Sequence, residues 1–321
     1  TVPETTTTTT VPETTTTTEA SIEVGNTING LMVDDEALAD RRLVAIKIDN
    51  HINARPQTGL ESADAVYEVL VEGGLTRFIA LFHQTDLDYV GPNRSGRVTD
   101  SKVMANLQPS PLQISGAQGW VKDIFQADDI NVVYDFGSTT FRVPHRPKPH
   151  NLFTSTLLIR DYADDRGWDD ENPGNLFTYG DPTPTEGEAT RIEISFSDVA
   201  PSTWAWDGEH YLRYHGNIAH EWVSEDGDTG QVAFDTLVVM KMRKYIASNP
   251  AGSGTSLPTV DTVGEGDAFA FYNGEVVGGT WSRGSIDEPW TLTAADGSEL
   301  VLPPGRVWVS LVPTNENVVW E

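Results

Sequence analysis

The chain has 321 residues, 38% of them apolar, with nine Trp, enough for one large or two ordinary domains with a substantial core. A formal net charge of −27 excludes nucleic acid and anionic membrane as main partners, since both need a basic footprint. The lack of cysteine removes disulfides, thiolate metal sites and thiol nucleophiles, and no run of 18 apolar residues offers a spanning helix.

Residues 1–27 open with Val2-Pro-Glu and a run of Thr, then nearly repeat it from Val11-Pro-Glu. With so little to bury, this tract is expected to be a disordered Thr/Pro-rich stalk, which suggests an extracytoplasmic address. A chain that begins with Thr instead of Met is also expected to follow an upstream segment such as a secretory signal or lipid anchor.

Residues 28–168 read as an N-terminal mixed α/β lobe. Leu43 to Asp49 alternates as a strand does, and the loop from Asn50 to Leu60 is punctuated by Pro56 and Gly59. Val66 to Glu72 and Leu75 to Phe82 flank Gly73-Gly74, the signature of a two-residue hairpin. Counting outward from that turn sets Leu70 opposite Arg77 and Glu68 opposite Ile79. Glu68, Glu72 and Arg77 would then form one cross-strand cluster, either an ion-pair network or the wall of a cleft. Helices are expected over Val98–Leu107, Gln118–Ala127 and Ser155–Arg166, with short strands at Leu112 and Asn131–Asp135.

Residues 169–190 are rich in Pro, Gly, Asp and Glu and read as a linker. From 191 to 321 turn signals recur at short intervals, among them Asp207-Gly208, Asn273-Gly274 and Asp296-Gly297. This half is expected to be a mostly antiparallel β lobe, so the fold class is α+β.

Five segments of the first half carry a resemblance: Ala54-Arg-Pro-Gln-x-Gly-Leu60, Ala63-Asp-x-Val-Tyr-Glu68, Glu72-Gly-Gly-x-Thr-Arg-Phe78, Gly91-Pro-x-Arg-Ser-x-Arg97 and Pro149-His-Asn151. In the second half Gly278-Gly-Thr-Trp-Ser-Arg283, Asp296-Gly297 and Leu302-x-Pro-Gly-Arg-x-Trp308-Val-x-Leu-Val-Pro313 continue it. The chain from about Gly30 onward resembles the YerB-like family of bacterial lipoproteins, a domain of unknown function in two parts. The resemblance implies a cell-envelope address and a two-part α/β plus β fold. It implies no reaction. The family's lipid-anchoring Cys is not in this sequence; either it lies upstream of Thr1 or this member is anchored otherwise.

Function is therefore argued from side chains. Asn50, Arg55, Gln57, Tyr67, Glu68, Glu72, Arg77, Arg94, Ser95 and Arg97 form the richest constellation, with Arg142, Arg146, His150 and Asn151 as a possible second wall. The planar arginine fork suits carboxylates, phosphates and sugar hydroxyls. The favoured reading is a cell-envelope binding protein that takes an anionic or hydroxylated wall polymer in an Arg/Glu-lined cleft. One alternative is a hydrolase of wall glycan or peptide using Glu68 or Glu72 with His150 as base. Against it, Glu68 and Glu72 would lie about 13 Å apart at 3.3 Å per residue, too wide for a glycosidase pair. A second alternative is a protein-interaction module. Trp204, Trp206, Tyr211, Tyr214, Trp281 and Trp308 are read either as core or as sugar-stacking platforms. His145 and His150 are poorly spaced for zinc, Ser95 lacks a nucleophile elbow, and no metal or cofactor is expected.

Overall fold

Strands β1 (Val44–Asp49), β2 (Ala65–Leu70) and β3 (Thr76–Phe82) carry almost unbroken apolar sequence. A sheet tolerates that only when both of its faces are covered. In the computed structural model, which describes Thr1, residues 24–252 and residues 254–321, every residue of β1 and β2 is buried. The expected stalk, apart from Thr1 and residues 24–27, lies outside the described residues. Period two sends Ala45, Tyr67, Val69, Ile79 and Leu81 to one face, against helices α1 (Val98–Met104) and α2 (Gly119–Ala127). It sends Ile46, Ile48, Val66, Phe78 and Ala80 to the other, against Trp204, Phe234 and Trp308.

The first half continues through β4 (Leu112–Gln113), parallel beside β1, and β5 (Val132–Val133), parallel beside β4, to α3 (Thr156–Asp165). Ser155 caps α3, its hydroxyl accepting from the amides of Leu157 and Leu158. The expected helices are thus present within a residue or two of their ends; residues 105–107 form a 3-10 turn that prolongs α1.

The Gly73-Gly74 hairpin forms, but with a register one residue away from the expected one. Val71 N–H donates to Leu75 O at 2.7 Å, so the loop is three residues long, Glu72-Gly73-Gly74. Both glycines take positive φ, 70° and 74°. Glu68 pairs with Phe78 and Val69 with Arg77. One residue of slip moves every side chain to the other face. Glu68 and Arg77 therefore project from opposite faces, Glu72 lies off the strand, and the expected Glu-Arg-Glu cluster does not exist. The reason is local: a 3-10 turn absorbs Glu72 into the loop, where a two-residue turn would have left it paired.

In the second half, β6 (Gly187–Glu188) precedes β7 (Arg191–Ser195), β8 (Pro201–Trp206), β9 (Tyr211–His215), β10 (Ile218–Ala219) and β11 (Ala233–Phe234). Then come β12 (Thr236–Met242), β13 (Gly264–Tyr272), β14 (Glu275–Arg283), β15 (Thr291–Ala294), β16 (Val307–Pro313) and β17 (Val318–Trp320). Asn273-Gly274 closes the β13–β14 hairpin with both residues at positive φ, as a two-residue turn requires.

The second half is mainly antiparallel and the first mixed, which is the α+β arrangement expected, and the two meet in one sheet. β16 pairs in parallel with β12 on one side and with β2 on the other. The resulting 11-stranded sheet runs β6–β14–β13–β12–β16–β2–β3–β1–β4–β5, with β15 beside β14. A six-stranded sheet, β10–β9–β8–β7–β17 with β11 on β9, packs against the face that carries Phe78 and Trp308.

Candidate functional site

Glu68 sits on the face of β2 that meets the second sheet, and it is buried, as is Arg213 on β9. Arg213 Nη2 donates to Glu68 Oε1 at 2.8 Å and to Oε2 at 3.0 Å. Trp308 Nε1 donates to Oε2 and the Thr76 hydroxyl to Oε1, so both oxygens are fully engaged. The guanidinium lies over the rings of Phe78, Trp204 and Trp308, at 5.0 to 5.8 Å from their centroids. A buried ion pair needs partners for its remaining lone pairs and protons; here the carboxylate oxygens and both terminal guanidinium nitrogens have them, and Arg213 Nε does not.

The network extends from both ends. Asn50 Nδ2 donates to Thr76 Oγ1. Arg213 Nη1 lies 2.7 Å from His220 Nδ1, and His220 Nε2 lies 2.8 Å from Gln57 Oε1. Gln57 Nε2 donates to Asp49 O, which makes its Oε1 the acceptor. His220 thus carries its proton on Nε2 and offers Nδ1 to Arg213. Burial and the adjacent Arg213 hold His220 well below its usual value, and the same causes together with Arg55 lower His215. Both imidazoles are neutral.

Above this floor is a cleft between the halves. One chamber, of about 190 Å³, is lined by Asn50, Arg55, Glu68, Thr76, Arg213 and His215, with Val199 and Ile218 at its lip. A second, of about 250 Å³, shares Arg55, His215 and Ile218 and adds Ile52, Pro56 and Glu221. Arg55 donates from Nη2 to Asn50 O at 2.9 Å and from Nε to Asn50 Oδ1 at 3.3 Å. No carboxylate among the described residues lies within ion-pair distance of it. Burial and the nearby Arg213 pull its guanidinium down to about 10, so it stays charged at neutral pH.

The remaining expected site residues gather elsewhere. On the opposite face, Arg97 Nε pairs with Glu72 Oε2 at 2.6 Å, and Arg77 Nη1 donates to Ser95 O. Burial would raise the Glu72 carboxyl, but the Arg97 hydrogen bond and charge outweigh it and hold Glu72 low. Burial first, then Arg97 and Arg94, pull Arg77 down to about 10. Lys47 and Asp100, both buried, pair at 2.6 Å beneath this cluster.

At the end of β1, Asp49 Oδ2 accepts His150 Nδ1–H at 2.7 Å and lies 3.0 Å from Arg94 Nε. The His51 ring stacks on His150 at 4.8 Å. Arg142 engages Asn151 and Asp135, and Arg146 donates to the carbonyls of Ala54 and Pro56, tying the 143–151 loop to the cleft loop. Tyr67 is buried against Trp290 and lines neither chamber. Trp204, Trp281, Trp308 and Tyr211 are core.

Of the fourteen expected residues the structure therefore brings Asn50, Arg55 and Glu68 into one cleft, with Gln57 behind it. Arg213, His215 and His220 were missed. Arg213 and His215 stand in β9, whose sequence reads as plain hairpin strand, and His220 follows the short β10; an Arg among aromatic positions was the only signal. Among the described residues no group of His, Asp and Glu is placed to hold a metal ion.

These features sit in a known two-part frame. The DUF3048 N-terminal domain, described as a protein of unknown function, matches residues 28–169, and the DUF3048 C-terminal domain matches residues 192–309. The chain belongs to the DUF3048 family. It is 28% identical over 290 residues to a Bacillus subtilis (strain 168) protein named "Putative lipoprotein YerB", covering 87% of this chain and 83% of that relative. A crystal structure of YerB protein from Bacillus subtilis superposes with a TM-score of 0.78 at 23% identity, over 92% of this chain and all of the other. That likeness shows that the two chains share a fold. Both halves that line the cleft fall within the matched DUF3048 domains.

Proposed function

We propose that this chain is an extracytoplasmic cell-envelope protein that binds an anionic or hydroxylated wall polymer in the cleft between its halves. The observation that carries this reading is Arg55. It is a guanidinium held by neutral acceptors over a concave, polar floor, with no carboxylate partner among the described residues of a chain whose net charge is −27. Arg55 and Arg213 against Glu68 leave the chamber with one positive charge, since His215 is neutral. A ligand carboxylate or phosphate supplies the missing partner for the arginine fork. The envelope address rests on the relative named as a lipoprotein and on the composition of the N-terminal tract.

Co-sedimentation with isolated wall sacculi tests this. Wild-type protein is expected to pellet and Arg55→Ala to stay in the supernatant, with Arg191→Ala, a β7 residue that lines neither chamber, as the control. Equal pelleting of Arg55→Ala and wild type would overturn the assignment.

The hydrolase reading keeps one supporting observation. Asp49 accepts from His150 Nδ1, which leaves Nε2 as the basic nitrogen of an Asp–His pair. Glu68 and Glu72 do not serve it, because both carboxylates are committed to arginines.

A further inference from the structure

The cleft's two chambers differ in chemistry, and the difference narrows the ligand. This inference rests on the reading of the cleft as a binding site. The chamber over Glu68 holds the two guanidiniums, while the second chamber is bordered by Ile52, Pro56, Ile218 and Ala219. Ile52 is 69% exposed and Ile218 is 73% exposed, and Val199, at the lip of the first chamber, is 60% exposed. Ile52 comes from the 3-10 turn after β1, Ile218 from β10, so the two large aliphatic side chains reach the same cavity from opposite halves of the chain. Single exposed aliphatics need no explanation, but two of them at one small cavity beside a cation without a carboxylate partner do.

We infer that the cleft takes an amphiphilic carboxylate: one terminal anionic group held by Arg55, flanked by an aliphatic segment that covers Ile218 and Ile52. Arg55, His215 and Ile218 belong to both chambers, so a head group at Arg55 places the adjoining carbons directly on Ile218. Glu221 at the border of the second chamber repels a second anionic group there, and the neutral His215 and His220 supply no further positive charge. The site therefore selects a single acid head with an uncharged neighbouring segment, so that of the anionic wall polymers it takes those whose acid groups are separated by uncharged stretches.

Calorimetric titration of the full chain with sodium acetate, sodium hexanoate and hexylammonium chloride tests the inference. Hexanoate carries four more methylenes than acetate, and each methylene withdrawn from water strengthens binding roughly fourfold. If only two are covered, hexanoate binds more than about tenfold tighter than acetate. Hexylammonium is expected not to bind. Ile218→Ser, and independently Ile52→Ser, should shrink the ratio of hexanoate to acetate affinity toward one; both positions are exposed, so the variants fold. Arg55→Ala should abolish both acids. Equal affinities for acetate and hexanoate, with no effect of either Ile variant, would overturn the aliphatic part while the Arg55 cleft still stood. Loss of no acid binding in Arg55→Ala, or no acid binding by wild type, would overturn the cleft reading and this inference together.

Discussion

Glu68 and Arg213, 145 positions apart in the chain, share two hydrogen bonds inside the core, with each side chain only 1% exposed. Glu68 stands on a central strand of the large sheet and Arg213 on the second sheet, so the pair rivets one layer to the other and forms the floor of the cleft at the same time. A carboxylate reader of the sequence would nominate Glu68 as an acid or base. Its saturation by Arg213, Thr76 and Trp308 makes it structural.

Breaking this pair should be costly. Arg213→Met leaves a buried carboxylate without its counter-charge and is expected to destabilise the fold by about 3–5 kcal/mol, read by urea unfolding. The double variant Glu68→Leu/Arg213→Met should recover most of that loss, because no uncompensated charge remains. Additive losses would show that the pair is not coupled.

The hairpin glycines should differ in tolerance. A Cβ at Gly73 meets nothing within 4 Å, so Gly73→Ala suffers only the left-handed backbone penalty of about 1–2 kcal/mol. At Gly74 a Cβ would come within 2.8 Å of Ser197 Oγ and 2.9 Å of Val199 Cγ2 as well. Gly74→Ala is expected to lower the midpoint of thermal unfolding further than Gly73→Ala; the reverse order would contradict the three-residue loop.

Acid should weaken the fold through His83. Its Nε2 donates to Arg41 O at 2.9 Å, while Nδ1 is buried without a partner, so protonation has nowhere to place its charge. Burial pushes His83 down to about 4, from 6.5. Between those values the unfolded chain binds a proton that the folded chain refuses, so stability falls as pH drops through that window and the loss is complete below about 4. The slope from this group approaches about 1.4 kcal/mol per pH unit. His83→Gln should flatten the pH dependence of urea unfolding between 6.5 and 4, and an unchanged slope would refute the assignment.

Sacculi incubated with the wild-type protein should release no soluble fragments. If fragments do appear, chemistry must run on the Asp49–His150 pair, and His150→Gln should abolish release while Glu72→Gln leaves it intact.

Composition and periodicity alone determined a good deal: an acidic, cysteine-free chain, the three helices, the turn at Asn273-Gly274 and the β-rich second half; the motif segments added the family resemblance. These are local properties, set by backbone propensity and by which residues permit positive φ. Arg55 and Asn50 were also legible as site candidates, because a polar loop punctuated by Pro56 and Gly59 announces itself. What only the tertiary structure decided was partnership. The three-residue loop at Glu72-Gly73-Gly74 shifted the register by one and sent Glu68 and Arg77 to opposite faces. The insertion of β16 between β2 and β12 joined the halves in one sheet and brought Trp308 onto Glu68. Arg213 reached the cleft from the distant β9, and His220 from just after β10. Pairing across 145 residues depends on how two sheets pack, and packing depends on side chains that no window of sequence contains together.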